Sequence, residues 1–312
     1  MHKTLVSDPA IGSYSAFLLL GLIGGYALMR WRGVRIGLRG SHLDNLALLI
    51  AVFSLFGARL FSWWFYFPAG ATLWSAFTAS GGGMVFYGGM IFGILISVVY
   101  ARLAHLSIGD IMDAGAPGLA LGLAFGRIGC FMAGCCWGDL CVNSNELAKL
   151  PSSRVLWQVR TVPLLSGAAF PLAVQFPPEA GAFEQHRELG LIDENAARSR
   201  PVHPVQLYEA GLALGLCIAL HCWFPRRRWP GQVICLFVLS YGLIRFFMEF
   251  LRADNAPAYS GLTLSQMLSL ALASLALLFI LSRIAMKTLS NRAKLFCASA
   301  GQDDGNRSPK DS

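Results

Sequence analysis

The segment GRIGCFMAGCCWG, residues 126–138, sets one arginine, Arg127, beside three cysteines inside a run otherwise apolar enough to lie in a membrane. A guanidinium near the middle of a span costs about 2.5–3.5 kcal/mol on insertion scales, so an intramembrane arginine marks a functional site by default. Gly126 and Gly129 flank it and let another backbone or a lipid come close. A second arginine, Arg245, stands four residues before Glu249 in YGLIRFFMEFLR, 241–252. That spacing puts both on one helix face, where they pair. The guanidinium fork binds phosphate bidentately and stays charged at any working pH. Two of them in apolar surroundings fit a phospholipid headgroup, and would stabilise the charge that develops if that phosphate leaves. Arg59, in GARLFSWWF, reads instead as a packing residue paired with a carboxylate or backbone carbonyls.

HPVQLYE, 203–209, groups His203, Gln206, Tyr208 and Glu209 where a long polar stretch enters an apolar run. Such groups either cap a helix or, for His203, act as acid or base, since an imidazole titrates near neutral pH. SGGGMVFYGG, 80–89, lacks the GK[ST] ending of a phosphate loop. Its glycines suit close helix contact or a bend at a cavity, with Tyr87 placed to hydrogen-bond a headgroup. Three readings stay open for Cys130, Cys135, Cys136 and Cys141. They are packing with an outer-face disulfide, a metal site, and a redox or acyl-carrying thiol. The spacing lacks paired CxxC arms and no histidine is near in sequence, so no metal and no cofactor is expected. Cys217, Cys222 and Cys235 sit in apolar helical runs as packing residues.

The elements that must position these groups are membrane helices. The chain of 312 residues is 55% hydrophobic and 13% charged, with a mean hydropathy of +0.55. Soluble domains carry about a quarter charged residues. The net charge of +8 is then first a topology signal. No basic run interleaves with aromatics, so nucleic acid is not an expected partner. The first residues are nearly neutral and the arginines follow the first apolar run, an order that favours a retained helix over a cleaved leader.

Seven runs reach spanning length, near 11–30, 46–67, 84–104, 111–136, 205–224, 232–251 and 262–283. Arg30, Arg32, Arg35 and Arg39 follow the first, Arg226, Arg227 and Arg228 follow the fifth, and a basic tail follows the last. Excess Lys/Arg stays on the cytoplasmic side, which places the N-terminus outside and the C-terminus in the cytoplasm. The expected fold is an all-α, multi-pass membrane protein with helices 1–4 in 1–137 and an external head in 138–204. Helices 5–7 follow in 205–286, and a disordered tail in 287–312. Within the head, RVLWQV and PLAVQF suggest short strands, and EAGAFEQHRELGLI an amphipathic helix with Phe183 and Leu189 on its apolar side.

Taken in order, GARLF at 57–61, GRIG–F–G–WG at 126–138, HPVQLYE at 203–209 and YGLIRFFMEFLR at 241–252, with the early Tyr14, resemble the prolipoprotein diacylglyceryl transferase family over most of 11–283. The resemblance implies a bacterial cytoplasmic (inner) membrane enzyme. It would move the diacylglyceryl unit of phosphatidylglycerol onto the lipobox cysteine thiol of a prolipoprotein and release glycerol phosphate. It implies Arg127 and Arg245 as lipid-binding and catalytic groups, with Tyr14, Gly138 and Glu249 at important positions; Tyr208, from the interface group of HPVQLYE, is expected beside the lipid as well. Tyr87 stands where the family has a histidine, Cys130 where it has asparagine and Cys135 where it has glutamate. The base is then expected to be His203 or Tyr87, with Glu249 orienting Arg245. A phospholipid-dependent transferase with another acceptor and a lipid-binding or transport protein without turnover are the alternative classes.

Overall fold

The computed structural model describes residues 4–7, 10–66, 72, 74, 77, 85–141, 172–253 and 261–305. Apart from a short hairpin of Thr4–Ser7 and Ala10–Gly12, the named elements are helical. They are α1 (Ser13–Arg35), α2 (Gly40–Tyr66), α3 (Phe86–Leu103), α4 (Ile108–Ala133), α5 (Gly181–Glu188), α6 (Val205–Trp223), α7 (Gln232–Met248) and α8 (Leu264–Gly305), with single 3-10 turns at Phe224–Arg226 and Glu249–Leu251. Six helices are long and apolar enough to cross a membrane, and the apolar stretch of α3, Tyr87–Leu103, is shorter.

Burial is inverted relative to a water-soluble protein. Leu19, Trp64, Leu275 and Leu278 lie on the outside, while Asp113, Gln206, Glu249 and Gln266 are fully buried. Apolar side chains facing outward match a hydrocarbon solvent, and backbone groups in such a solvent must be satisfied within helices. With no hydrophobic force to drive helices together in lipid, close contact relies on small residues. A Cβ on Gly118 would lie 2.4 Å from the Gly25 carbonyl oxygen, so α1 and α4 touch backbone to backbone. Gly57 of α2 and Gly88 of α3 meet likewise, with 2.3 Å between a Gly88 Cβ and the Gly57 carbonyl. This is the close helix contact expected of the YGG glycines; Gly81–Gly83 lie outside the described residues.

Two ends of the bundle can be told apart by their contacts. At one end Asp113, in α4, accepts from Arg227 Nη1 (2.9 Å) and from the backbone of Gly231, Val233 and Ile234, capping the start of α7. Arg227 Nη2 also lies 2.6 Å from Asp110. Arg32, near the end of α1, bonds the His221 carbonyl near the end of α6. At the opposite end α4 and α7 finish, α6 and α8 begin, and the charged groups of the next section converge. That end carries α5 and its surroundings, whose core is Phe176, Ala182, Leu191, Val202 and Leu140 packed on Phe131 and Trp137.

Phe183 is buried and Leu189 packs on that core, as the amphipathic pattern predicts. Val174 of PLAVQF pairs with Val202, while RVLWQV lies outside the described residues. α8 runs to Gly305, through much of the segment read as disordered. Ala, Leu, Lys and Arg there favour helix, and extending an existing helix avoids the nucleation penalty.

Candidate functional site

The centre of the site is the Glu209 carboxylate, in the second turn of α6. Oε2 pairs with Arg127 Nε from the last two turns of α4. Oε1 accepts from Arg245 Nη1 at 3.0 Å from the last turn of α7, and Arg252 Nη1 approaches it at 3.9 Å. Arg245 Nη2 lies 2.7 Å from Glu249 Oε2, the pairing that their spacing predicts, and donates to Ser265 Oγ at 3.1 Å. Glu249 Oε1 accepts from Thr263 Oγ1 at 2.7 Å. Among the described residues three guanidiniums face two carboxylates, Glu209 and Glu249, in this group. In a setting of low dielectric, an unpaired buried charge is costly, and each member is held by the others.

The segment after α4 fixes the backbone around this group. The Gly138 and Asp139 backbone runs between two neighbours. Gly138 N donates to the His203 carbonyl (3.1 Å) and His203 N to the Asp139 carbonyl (3.0 Å), while Asp139 N donates to the Leu251 carbonyl (2.8 Å) on the other side. Gly138 also pairs with Arg252 as an isolated bridge. The role of Gly138 is close approach, since a Cβ there would lie 2.4 Å from Val205 Cγ2. Trp137 Nε1 donates to Gln185 Oε1 at 2.9 Å and ties α5 to the same segment.

His203 is buried, with Nδ1 3.5 Å from the Tyr208 hydroxyl. Burial lowers its pKa from the usual imidazole value, which keeps the ring neutral and able to accept a proton at neutral pH. Tyr14, half-exposed at the start of α1, packs where Gly129 leaves room. Tyr87 is half-exposed at the start of α3, whose main partner is α2 rather than the helices that carry Arg127 and Arg245.

Cys130, Cys135 and Cys136 bring their sulfurs together, and the expected companion Cys141 is not in that group. Every described cysteine is free, so the structure shows no outer-face disulfide at Cys141. Burial, with the Asp139 charge as a smaller cause, pushes the Cys141 thiol up to about 12. Gln206 donates to the Cys135 carbonyl at 2.7 Å.

Glu209 and Arg252 were not among the expected site residues. Glu209 had a signal, an acid within an apolar run. Arg252 had only its spacing from Glu249, which it approaches at 4.0 Å.

The model of the family described as prolipoprotein diacylglyceryl transferase matches residues 4–282. The chain is 32% identical over 284 residues to the phosphatidylglycerol--prolipoprotein diacylglyceryl transferase of Xanthomonas axonopodis pv. citri (strain 306), covering 86% of this chain and 85% of that protein. It is 38% identical over 199 residues to the protein of the same name from Xylella fastidiosa (strain 9a5c), covering 61% of this chain and 60% of the relative. The match thus spans less than two thirds of the Xylella protein's length.

Proposed function

The chain belongs to the prolipoprotein diacylglyceryl transferase family, and we propose that it transfers the diacylglyceryl group of phosphatidylglycerol to the lipobox cysteine thiol of a prolipoprotein. The observation that carries this reading is the placement of Arg127 and Arg245 on the two oxygens of one Glu209 carboxylate, with Arg252 beside them. Anionic lipid brings a phosphodiester charge to a group that gathers three guanidiniums. As the substrate thiolate attacks the glycerol carbon, a C–S bond forms, the C–O bond to phosphate breaks, and glycerol phosphate leaves with the electron pair. The guanidiniums stabilise the charge gathering on that phosphate.

The thiol must lose its proton first, because the thiolate is the nucleophile. His203, neutral through burial, is one acceptor and Tyr87 the other candidate, while Glu249 orients Arg245. Tyr14, Gly138 and Tyr208 border the headgroup. We place seven spans in the bacterial cytoplasmic (inner) membrane, with α3 as the short one. The basic end around Arg227 faces the cytoplasm by the positive-inside rule, so the arginine site and the head around α5 face outward.

Incubation of the purified protein with phosphatidylglycerol and a lipobox peptide yields a thioether-linked diacylglyceryl peptide by mass spectrometry. A peptide left unmodified under conditions where the Xanthomonas relative modifies it overturns the reading.

A further inference from the structure

Cys130, Cys135 and Cys136 hold their three sulfurs within 4.8 Å of one another, and we propose that they form a three-thiolate site for a thiophilic d10 cation, zinc(II) or copper(I). Thiolate–zinc bonds of about 2.3 Å put neighbouring sulfurs roughly 4 Å apart in a tetrahedral or trigonal arrangement. The three side chains therefore need only small rotations to share one ion. Soft thiolates select such ions over magnesium or calcium.

The local backbone builds the triangle. Cys130 is in the last turn of α4, which Gly134 ends with a left-handed φ of 72°. The chain turns back so that Cys135 N donates to the Cys130 carbonyl at 3.1 Å. Cys136 itself adopts a φ of 59°, a conformation uncommon outside glycine. A neighbouring helix holds the turn. Gln206, 1% exposed, donates Nε2 to the Cys135 carbonyl at 2.7 Å. Its Oε1 is buried without a hydrogen-bond partner among the described residues.

Among the described residues no further histidine, cysteine or carboxylate joins the three sulfurs. Three protein ligands suit trigonal copper(I), or zinc(II) with an open fourth position. Three thiols release three protons to solvent as three metal–sulfur bonds form, leaving the site at −1 with zinc or −2 with copper. Arg127 and Arg252 lie within electrostatic range of Cys136 and offset that charge.

The inference does not depend on the transfer reaction, because metal uptake is read directly. Full-length protein is extracted in detergent without chelator, and its metals are measured by elemental mass spectrometry. A chelated sample is then titrated with cobalt(II), with zinc(II) as competitor, and in a separate anaerobic arm with copper(I). The expected result is one equivalent bound, with sulfur-to-cobalt charge-transfer absorption that zinc removes or a copper(I) complex that saturates at one equivalent. One equivalent also shields three thiols from alkylation. Cys130→Ser and Cys136→Ser each weaken uptake at least tenfold, and Cys222→Ser, at an exposed position elsewhere, leaves it unchanged. Uptake below a tenth of an equivalent by the wild-type chain in both arms overturns the proposal, even if the serine variants misfold. So does a disulfide among these three cysteines in unreduced, freshly extracted protein.

Discussion

Glu209 Oε1 accepts a hydrogen bond from Arg245 Nη1 at 3.0 Å, and through it α6 and α7 are joined beside Arg127 of α4. The carboxylate keeps guanidiniums from two other helices close together before any phosphate arrives. Loss of a charged hydrogen-bond partner costs about 2–5 kcal/mol, on the order of 30- to 4,000-fold in rate. Arg127→Ala and Arg245→Ala are therefore expected to lose at least that much transfer activity while remaining in the membrane. Glu209→Gln, which keeps the shape but leaves three guanidiniums facing one carboxylate, is expected to lower both activity and thermal stability. Peptide modification at matched protein concentration, with thermal unfolding in detergent alongside, measures each. Full activity of both arginine variants would refute the phosphate assignment.

The opposite end supplies a test that separates folding from chemistry. Asp113 is completely buried and accepts from Arg227 and from three backbone amides at the start of α7. Asp113→Ala strands those donors and leaves the Arg227 charge short of a partner, a loss of roughly 3–5 kcal/mol. The variant should unfold at clearly lower temperature, while its turnover per folded molecule below that temperature stays near wild type. An unchanged unfolding temperature would show that the cap contributes little.

Acid should loosen α5 and its surroundings before the long helices. His186 is buried, and desolvation first, with the Arg200 charge second, lowers its pKa from 6.5 to about 4. Its Nδ1 accepts from the Arg200 backbone at 3.2 Å, which requires the unprotonated ring. Above 6.5 both folded and unfolded chains hold a neutral imidazole, so the group adds no pH dependence. As pH falls from 6.5 towards 4 only the unfolded chain gains the proton, and stability drops by roughly 3 kcal/mol in total. Hydrogen exchange over 181–202 is expected to accelerate across that window. His186→Asn, which accepts the same bond without titrating, should flatten the dependence.

The arginines of α4 and α7 were legible because a buried charge stands out in an apolar run, and helical spacing alone predicts the Arg245–Glu249 pair. Glu209 was harder, since a carboxylate at the start of a helix reads equally well as a cap. Arg252 looked like a loop charge, because nothing local reveals that Leu251 and Arg252 fold against Gly138 and Asp139. The cap on α7 joins Asp113 to Arg227, 114 residues away, a separation that periodicity cannot bridge. The sulfur triangle was one of the readings left open, and it was disfavoured for another reason. It is closed by left-handed backbone at Gly134 and Cys136 rather than by the CxxC spacing that signals a metal site.

Gly138 tests whether the backbone frame around the site matters as much as its charges. An added methyl would lie 2.5 Å from the His203 carbonyl oxygen and 2.9 Å from His203 Cβ. Neither can yield easily, because that carbonyl accepts the Gly138 amide at 3.1 Å. Gly138→Ala must therefore push the 137–139 segment off His203 on one side and off Arg252 on the other. A shift of about 1 Å in positioned groups is enough for a loss on the order of a hundredfold. Gly211→Ala, where a Cβ meets nothing within 4 Å, is the matched control on α6 and should retain wild-type turnover. Equal activity of the two variants in the peptide assay would show that the approach of Gly138 to His203 does not set the geometry of the reacting groups.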